Sequence, residues 1–264
     1  MQALRLMAVL AHPDDESLGV GGTLAKYASE GVETVLLTAT RGDGGRYRGH
    51  RPGEAQHPGA SALAKIRETE LHAAAEVLGV RDVSLLDYRD QQLDRADPAE
   101  VIAHIAAHLR RVRPDVVVTF GPDGAYGHPD HIAISQFATA AIVAAARDGG
   151  AVSKLYYMAW PASTWAAYQA AFRTMVSSID GVERQATPWP DWAITSVVDT
   201  RTFSSTVWRA ISCHASQVVA YEQLRGLSSE QHEALWGWQS FYRVFSTVNG
   251  GRARETDLFE GIRR

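Results

Sequence analysis

Short hydrophobic runs and amphipathic segments alternate along the first 160 residues of the chain. The hydrophobic runs are continuous, which is typical of strands buried on both faces of a sheet. The segments between them repeat apolar residues at helical spacing, and two of them end at a glycine, as helices often do. The pattern predicts strands over 4–11, 32–39, 82–88, 115–120 and 153–160, and helices over 17–30, 61–79, 98–112 and 129–147.

Strand–helix–strand order with short connections predicts a parallel sheet that carries helices on both faces. We therefore expect an α/β protein with a Rossmann-like, mostly parallel sheet. Ligands of such sheets bind beyond the carboxyl ends of the strands. His12 follows the first predicted strand, and His128 and His131 follow the fourth, so this fold would bring the three imidazoles to one edge.

Beyond residue 160 the pattern is weaker. It predicts a helix over 160–172, a loop over 180–192, a strand over 193–200 and a helix over 201–225. Because we find no internal repeat and no linker, we expect a single domain over 1–264. Its Rossmann-like core would span 1–160, with a C-terminal elaboration over 161–264.

Composition, net charge and cysteine count exclude several classes of function. The 264-residue chain is 45% hydrophobic and 21% charged, which is ordinary for a globular protein. A net charge of -4 gives no electrostatic basis for binding nucleic acid or an anionic membrane. Cys213 is the only cysteine, which excludes an internal disulfide and a multi-cysteine metal site. No run approaches the roughly 20 apolar residues of a membrane span, so we expect a cytoplasmic protein.

The first polar cluster is His12-Pro13-Asp14-Asp15-Glu16, directly after the first strand. Like charges this close repel one another unless a positive group lies between them or one is protonated. One aspartate could cap the helix that follows, but that interpretation leaves the other aspartate and His12 unexplained. The composition favours metal ligands.

The second cluster is Tyr126-Gly127-His128-Pro129-Asp130-His131. His128 and His131 are three residues apart at the start of a predicted helix, so they could face one site. Alone, this spacing is weak evidence for a metal site, because histidines are common at helix ends. Together, the clusters offer two imidazoles and one carboxylate, a set that leaves positions for water and substrate on Zn²⁺ and also suits Fe²⁺.

Two other interpretations fail. The glycine-rich stretch 19–24 has Leu24 where a dinucleotide-binding fingerprint needs its third glycine, and acidic residues precede it. The chain also lacks the G-x-S-x-G turn that presents the nucleophile of serine hydrolases.

The chain resembles the zinc-dependent N-deacetylases of the LmbE-like or PIG-L family, which include the N-acetylglucosaminyl-phosphatidylinositol, mycothiol and bacillithiol pathway deacetylases. The resemblance rests on AHPDDE at 11–16 and HPDH at 128–131, and it extends through KIRETEL at 65–71, DYRD at 87–90 and HASQ at 214–217. It implies an enzyme that hydrolyses a linear amide bond. The expected partner is a small N-acyl substrate, most simply an N-acetylglucosamine-like sugar derivative.

The resemblance also implies roles for individual residues. The zinc ligands would be His12, Asp15 and His131, and Asp14 would be the general base that activates water. Tyr126 matches the position that donates a hydrogen bond to the developing oxyanion.

Four further roles follow from the same resemblance. His128 would be an electrophile or the acid that protonates the departing amine, and Asp130 would orient the imidazole of His128. Arg67 and Asp90 match positions that contact substrate hydroxyls. Arg67 could instead form a surface ion pair with Glu68 or Glu70, and Asp90 could be an ordinary turn residue.

Some questions stay open at this stage. The long loop 40–59 is rich in Arg and Gly, and it could bind an anionic substrate or be solvated. The C-terminal third, which shapes the pocket in this family, matches no single branch, so a larger amide, such as a thiol conjugate or an antibiotic precursor, is an alternative substrate. A metal- or carbohydrate-binding module without turnover is a third reading, and a homo-oligomer is compatible with the sequence.

Overall fold

A seven-stranded sheet forms the centre of the structure, a computed structural model that describes residues 3–147, 152–172, 176–179, 182–185, 187–251 and 253–263. Within these ranges the strands are β1 (Arg5–Leu10), β2 (Glu33–Thr40), β3 (Asp82–Tyr88), β4 (Val116–Thr119), β5 (Lys154–Met158), β6 (Val176–Ile179), β7 (Val182–Gln185), β8 (Ser196–Asp199) and β9 (Trp238–Ser246). Their order in the sheet is β3-β2-β1-β4-β5-β9-β8, and β6 pairs with β7 in a separate hairpin. Strands β1 to β5 are parallel, whereas β9 runs antiparallel to both β5 and β8.

Helices pack in two groups around this sheet. They are α1 (Asp15–Ser29), α2 (Ala60–Leu78), α3 (Pro98–Val112), α4 (Gly124–Gly127), α5 (Pro129–Ala146), α6 (Ala162–Phe172), α7 (Ser204–Cys213), α8 (Val218–Arg225) and α9 (Ser229–Trp236). One group consists of α1, α2 and α7, and the other of α3 and α5. Within the described ranges, no helix is long and apolar enough to cross a bilayer.

The central strand β1 is covered from both sides, since it contacts α1 and α5. All side chains from Leu6 to Leu10 are fully buried. Each large apolar side chain removed from water in this way stabilises the fold by about 1.5–3 kcal/mol. The predicted two-sided burial of this hydrophobic run is therefore confirmed.

The strand order places the two polar clusters side by side. The order reverses between β1 and β4, which lie next to each other at the centre of the sheet. A crevice opens at the carboxyl end of a parallel sheet where the order reverses. His12 follows β1 and the segment 124–131 follows β4, so both clusters flank this crevice.

The predicted elements of the first 160 residues are confirmed to within about two residues, but the C-terminal third differs from the prediction. The helix predicted over 201–225 is interrupted, because 214–217 leave helical geometry between α7 and α8. The loop predicted over 180–192 contains β7, while residues 180, 181 and 186 lie outside the described residues. Residues 238–246, for which we made no prediction, form β9, and its pairing with β5 could not be read from local sequence.

A buried ionic network joins the C-terminal segment to the sheet. Glu255 is 1% exposed and lies 2.7 Å from the ammonium of Lys154, which is fully buried. The same carboxylate accepts hydrogen bonds from Tyr156, Ser196 and Asn249 and pairs with the guanidinium of Arg243, at 2.6–2.8 Å. Burial alone would raise the pKa of Glu255, but these partners, led by Lys154, lower it from 4.5 to about 2.

We predict that Glu255→Gln lowers the free energy of unfolding by about 3–5 kcal/mol, because it leaves the buried Lys154 ammonium without its carboxylate. Glu222→Gln is the matched control, since it breaks an exposed pair with Arg225, and it should cost less than about 1 kcal/mol. Urea unfolding at pH 7 measures both.

The pH dependence has a defined sign. The folded-state pKa of Glu255 is depressed, so its contribution is present above pH 4.5 and is lost as the pH falls towards 2. The stability difference between wild type and Glu255→Gln should therefore shrink across this window. A difference that stays constant from pH 6 to pH 3 contradicts this assignment.

Candidate active site

The turn after β1 positions a carboxylate against two imidazoles. The Asp15 carboxylate accepts hydrogen bonds from the backbone N–H groups of Ala11 and His12, at 3.2 and 2.7 Å, and these fix it beneath the His12 ring. His12 Nδ1 lies 3.1 Å from His131 Nε2 and 3.6 Å from an Asp15 oxygen. The other Asp15 oxygen is 3.4 Å from His131 Nε2.

These three groups fit a divalent cation. Ligands at 2.0–2.1 Å in a tetrahedral shell are about 3.3 Å apart. The two imidazole nitrogens are 3.1 Å apart, and each lies 3.4–3.6 Å from a different oxygen of Asp15. The three side chains are at least nine-tenths buried, and Phe120 stacks on the His131 ring at 3.9 Å. His131 Nδ1 lies 3.2 Å from the carbonyl oxygen of Gly124, which leaves Nε2 as the ligand nitrogen.

The far side of the His12 ring faces two more carboxylates. His12 Nε2 lies 3.0 Å from Asp90 and 3.1 Å from Asp130. Histidine ligands bind metal through one nitrogen and hydrogen-bond through the other, so these carboxylates accept the Nε2–H. His12, Asp90 and Asp130 also fall within ligand distance of one another, as do His12, His128 and His131. We favour His12 Nδ1 as the ligand atom, because the carboxylates of Asp90 and Asp130 can then accept the Nε2–H and orient the ring.

Asp130 makes different contacts from those expected. Its carboxylate accepts the backbone N–H groups of Gln91, at 2.7 Å, and Leu93, at 3.0 Å, and lies against His12. Towards His128 it offers only its backbone N–H, which donates to the ring Nδ1 at 3.2 Å. In the structure the Asp130 carboxylate lies against His12, whereas we had expected it to orient His128. The segment that follows β3 supplies two backbone N–H groups to this carboxylate and holds it there.

Electrostatics at His12 favour positive charge. Burial opposes protonation of the imidazole, yet the carboxylates of Asp90, Asp130 and Asp15 raise the pKa of His12 well above its usual value. The same concentration of negative charge attracts a metal cation. Sequence reasoning expected a positive partner only for the adjacent carboxylates of Asp14 and Asp15.

Asp14 is held in a strained conformation beside this cluster. Its φ of 109° lies in a region that non-glycine residues rarely adopt, at a cost of about 1–3 kcal/mol. As the N-cap of α1, its side chain makes no capping hydrogen bond and instead pairs with Arg67 at 3.0 Å. Arg67 is 4% exposed and also donates to the carbonyl oxygens of Pro13 and Gly42. Of the two residues considered as surface partners of Arg67, Glu68 pairs with Arg41 and Glu70 accepts hydrogen bonds from Ser216, while the Arg67 side chain itself is buried.

Tyr126 and His128 enter from the turn after β4. Burial, together with the nearby carboxylate of Asp15, raises the pKa of Tyr126, so its hydroxyl keeps its proton. Burial and the imidazoles of His12 and His131 lower the pKa of His128, so this ring is neutral. Because His128 Nδ1 accepts a backbone N–H, its own proton is on Nε2.

These side chains lie around an open pocket of about 230 Å³. It is lined by His12, Asp14, Asp15, Gly45, Arg67, Asp90, Gln91, Tyr126, His128 and Gln217. Gln91 and Gln217 were not anticipated from the sequence; Gln217 stands in the HASQ segment, which was the available signal. The loop 40–59 borders the pocket through Gly45, and Gln217 donates to the carbonyl oxygen of Arg46 at 2.8 Å.

The chain is similar to known deacetylases. Residues 7–142 match the PIG-L family, described as GlcNAc-PI de-N-acetylase. A protein of Kineococcus radiotolerans, named 1D-myo-inositol 2-acetamido-2-deoxy-alpha-D-glucopyranoside deacetylase, is 38% identical over 309 residues, covering 99% of this chain and 84% of the relative.

Two solved structures share the fold. The N,N'-diacetylchitobiose deacetylase from Pyrococcus horikoshii superposes with a TM-score of 0.66 at 21% identity, covering 92% of this chain and 84% of that one. GalB, a 4-carboxy-2-hydroxymuconate hydratase from a Pseudomonas species, also reaches 0.66, at 22% identity, covering 95% of this chain and 100% of that one. One fold thus supports different chemistries, and at these identities it does not distinguish them.

The matched segment contains both polar clusters, and the relative aligns along nearly the whole chain. The resemblance predicted from AHPDDE and HPDH is confirmed. The chain belongs to the PIG-L family of GlcNAc-PI de-N-acetylases.

Proposed function

We propose that this protein is a metal-dependent N-deacetylase that releases acetate from an N-acetylglucosamine-type sugar. The observation that carries the proposal is the position of Asp14. This carboxylate, held by Arg67, lines the same pocket as His12 and Asp15, two of the three groups that fit a metal ion. A binding module has no need of a strained carboxylate beside a metal site.

The metal we propose is Zn²⁺, held by His12, Asp15 and His131. Deacetylases of this family are metal-dependent, and two imidazoles with one carboxylate suit Zn²⁺, although Fe²⁺ accepts the same set. When bound, such an ion polarises an amide carbonyl and lowers the pKa of water to about 7.

The remaining roles belong to the chain's own residues. Asp14 takes the proton of the attacking water, and its ion pair with Arg67 fixes the direction of the carboxylate. Tyr126, which keeps its proton, donates a hydrogen bond to the oxyanion. The neutral ring of His128 donates a hydrogen bond from Nε2 to the carbonyl oxygen, so it acts as the electrophile. The proton that the leaving nitrogen needs is the one that Asp14 took from the water.

The substrate proposal follows from the relatives. The Kineococcus protein is named for a glucosaminide joined to myo-inositol, and we propose a substrate of this type. Arg67 and Asp90 line the pocket and are our candidates for contacts with sugar hydroxyls. We also propose that 1–264 form one domain, because β8 and β9 extend the sheet and Gln217 reaches the pocket.

We predict that Asp14→Ala keeps its metal and loses about 10²–10⁴-fold in kcat, because the base is absent while the ligands remain. His12→Ala should lose both metal and activity. Acetate and amine release from N-acetylglucosaminyl-inositol, N-acetylglucosamine and bulkier amides, with metal content measured on the same samples, tests both variants. Full activity of Asp14→Ala contradicts the mechanism, and turnover of only the bulkier amides contradicts the proposed substrate.

We predict that Asp130→Asn weakens metal binding by about 10–100-fold, because the Nε2–H of the ligand His12 loses a carboxylate acceptor. Asp94→Asn changes an exposed carboxylate on the neighbouring turn and should bind metal like the wild type. Competition with a chromogenic chelator measures both affinities. Equal affinities would exclude an orienting role for Asp130.

A further inference from the structure

A buried ion pair lies behind the general base, outside the pocket. Glu16 and His214 are both 0% exposed, and His214 Nε2 lies 2.8 Å from Glu16 Oε1. Neither side chain is among the residues that line the pocket. His214 Nδ1 has no hydrogen-bond partner among the described residues, so the contact with Glu16 is the one polar contact of this ring that the structure describes.

Glu16 connects this pair to the backbone of Asp14. Its second oxygen, Oε2, accepts the Asp14 N–H at 2.9 Å. On the other side, the Asp14 carbonyl oxygen accepts the N–H groups of Ser17 and Leu18, at 3.1 and 3.0 Å. The peptide groups on both sides of the Asp14 Cα are thereby fixed, and they hold the residue at its φ of 109°.

This backbone conformation determines where the Asp14 carboxylate points. An N-cap aspartate normally adopts extended backbone geometry and turns its side chain onto the helix N–H groups. Asp14 does neither, and its carboxylate is directed to Arg67 and the pocket. Relaxation of φ to an ordinary value would swing the carboxylate away from the reacting water.

Packing alone does not explain this buried pair. Two ionisable groups buried without solvent contribute less to stability than apolar residues of the same volume. Besides the Ser17 hydroxyl, which also donates to Glu16, the group held by this pair is the backbone N–H of Asp14. His214 comes from 214–217, where the helix predicted over 201–225 is interrupted.

We infer that Glu16 and His214 are positioning residues for the general base. His214 fixes the Glu16 carboxylate, and Glu16 holds the strained backbone of Asp14 so that its side chain faces the pocket. The inference rests on the proposed function, because it assigns a purpose to the geometry of Asp14.

The test compares two His214 variants. His214→Leu removes the donor to Glu16, and His214→Gln keeps an N–H group that reaches the same carboxylate. We expect kcat of His214→Leu to fall about 10–100-fold, as for other small displacements of a catalytic group, with KM and metal content near the wild-type values. His214→Gln should recover most of the lost kcat.

Tyr156→Phe is the matched structural control. It likewise removes one donor to a buried carboxylate, that of Glu255, far from the pocket, and should lower stability without changing kcat per folded molecule. Rates are therefore normalised to the folded, metal-loaded fraction. In an Asp14→Ala background, adding His214→Leu should not reduce the residual rate further, because no carboxylate is left to position.

The outcomes separate the inference from the proposed function. If His214→Leu has wild-type kcat after normalisation, or lowers the rate equally with and without Asp14, the positioning role is wrong, while an inactive Asp14→Ala still supports the deacetylase. If the wild-type protein with bound metal releases no amine from any substrate, the proposed function fails first.

Discussion

The active site depends on carboxylates that are forced together away from water. Asp15, Asp90 and Asp130 surround one imidazole, and each is less than a tenth exposed. Their mutual repulsion is tolerable only if positive charge lies among them, on a protonated His12 or on a metal ion. Metal binding and folding of this edge of the sheet are therefore linked, because the ion removes a repulsion that the apo protein has to offset in another way.

The sheet makes this crowding possible. The three carboxylates stand on segments that follow β1, β3 and β4, whose register is fixed by buried hydrophobic residues and not by the site itself. A rigid frame can hold unfavourable contacts that a loop would relax. The same frame accommodates the unusual φ of Asp14, whose cost is offset by hydrogen bonds to both adjoining peptide groups.

Local sequence was sufficient for the core and for the prediction that His12 and His131 lie together. Continuous hydrophobic runs specified β1 to β5, and the strand ends then brought His12 and His131 together. Sequence could not show that Asp130 faces His12, because that contact depends on how the segment after β3 presents the backbone N–H groups of Gln91 and Leu93. Nor could it show the break at 214–217, where residues compatible with a helix adopt another geometry to satisfy Glu16 and Glu70.

The segment 214–217 contacts two parts of the site at once. His214 reaches Glu16 behind Asp14, while Gln217 and the carbonyl oxygen of Ser216 hold the loop 40–59 through Arg46 and Arg48. A change in this loop would thus also act on the segment that reaches Asp14, the proposed base, through Glu16. A loop transplanted from a relative would therefore need its 214–217 counterpart to be transplanted with it.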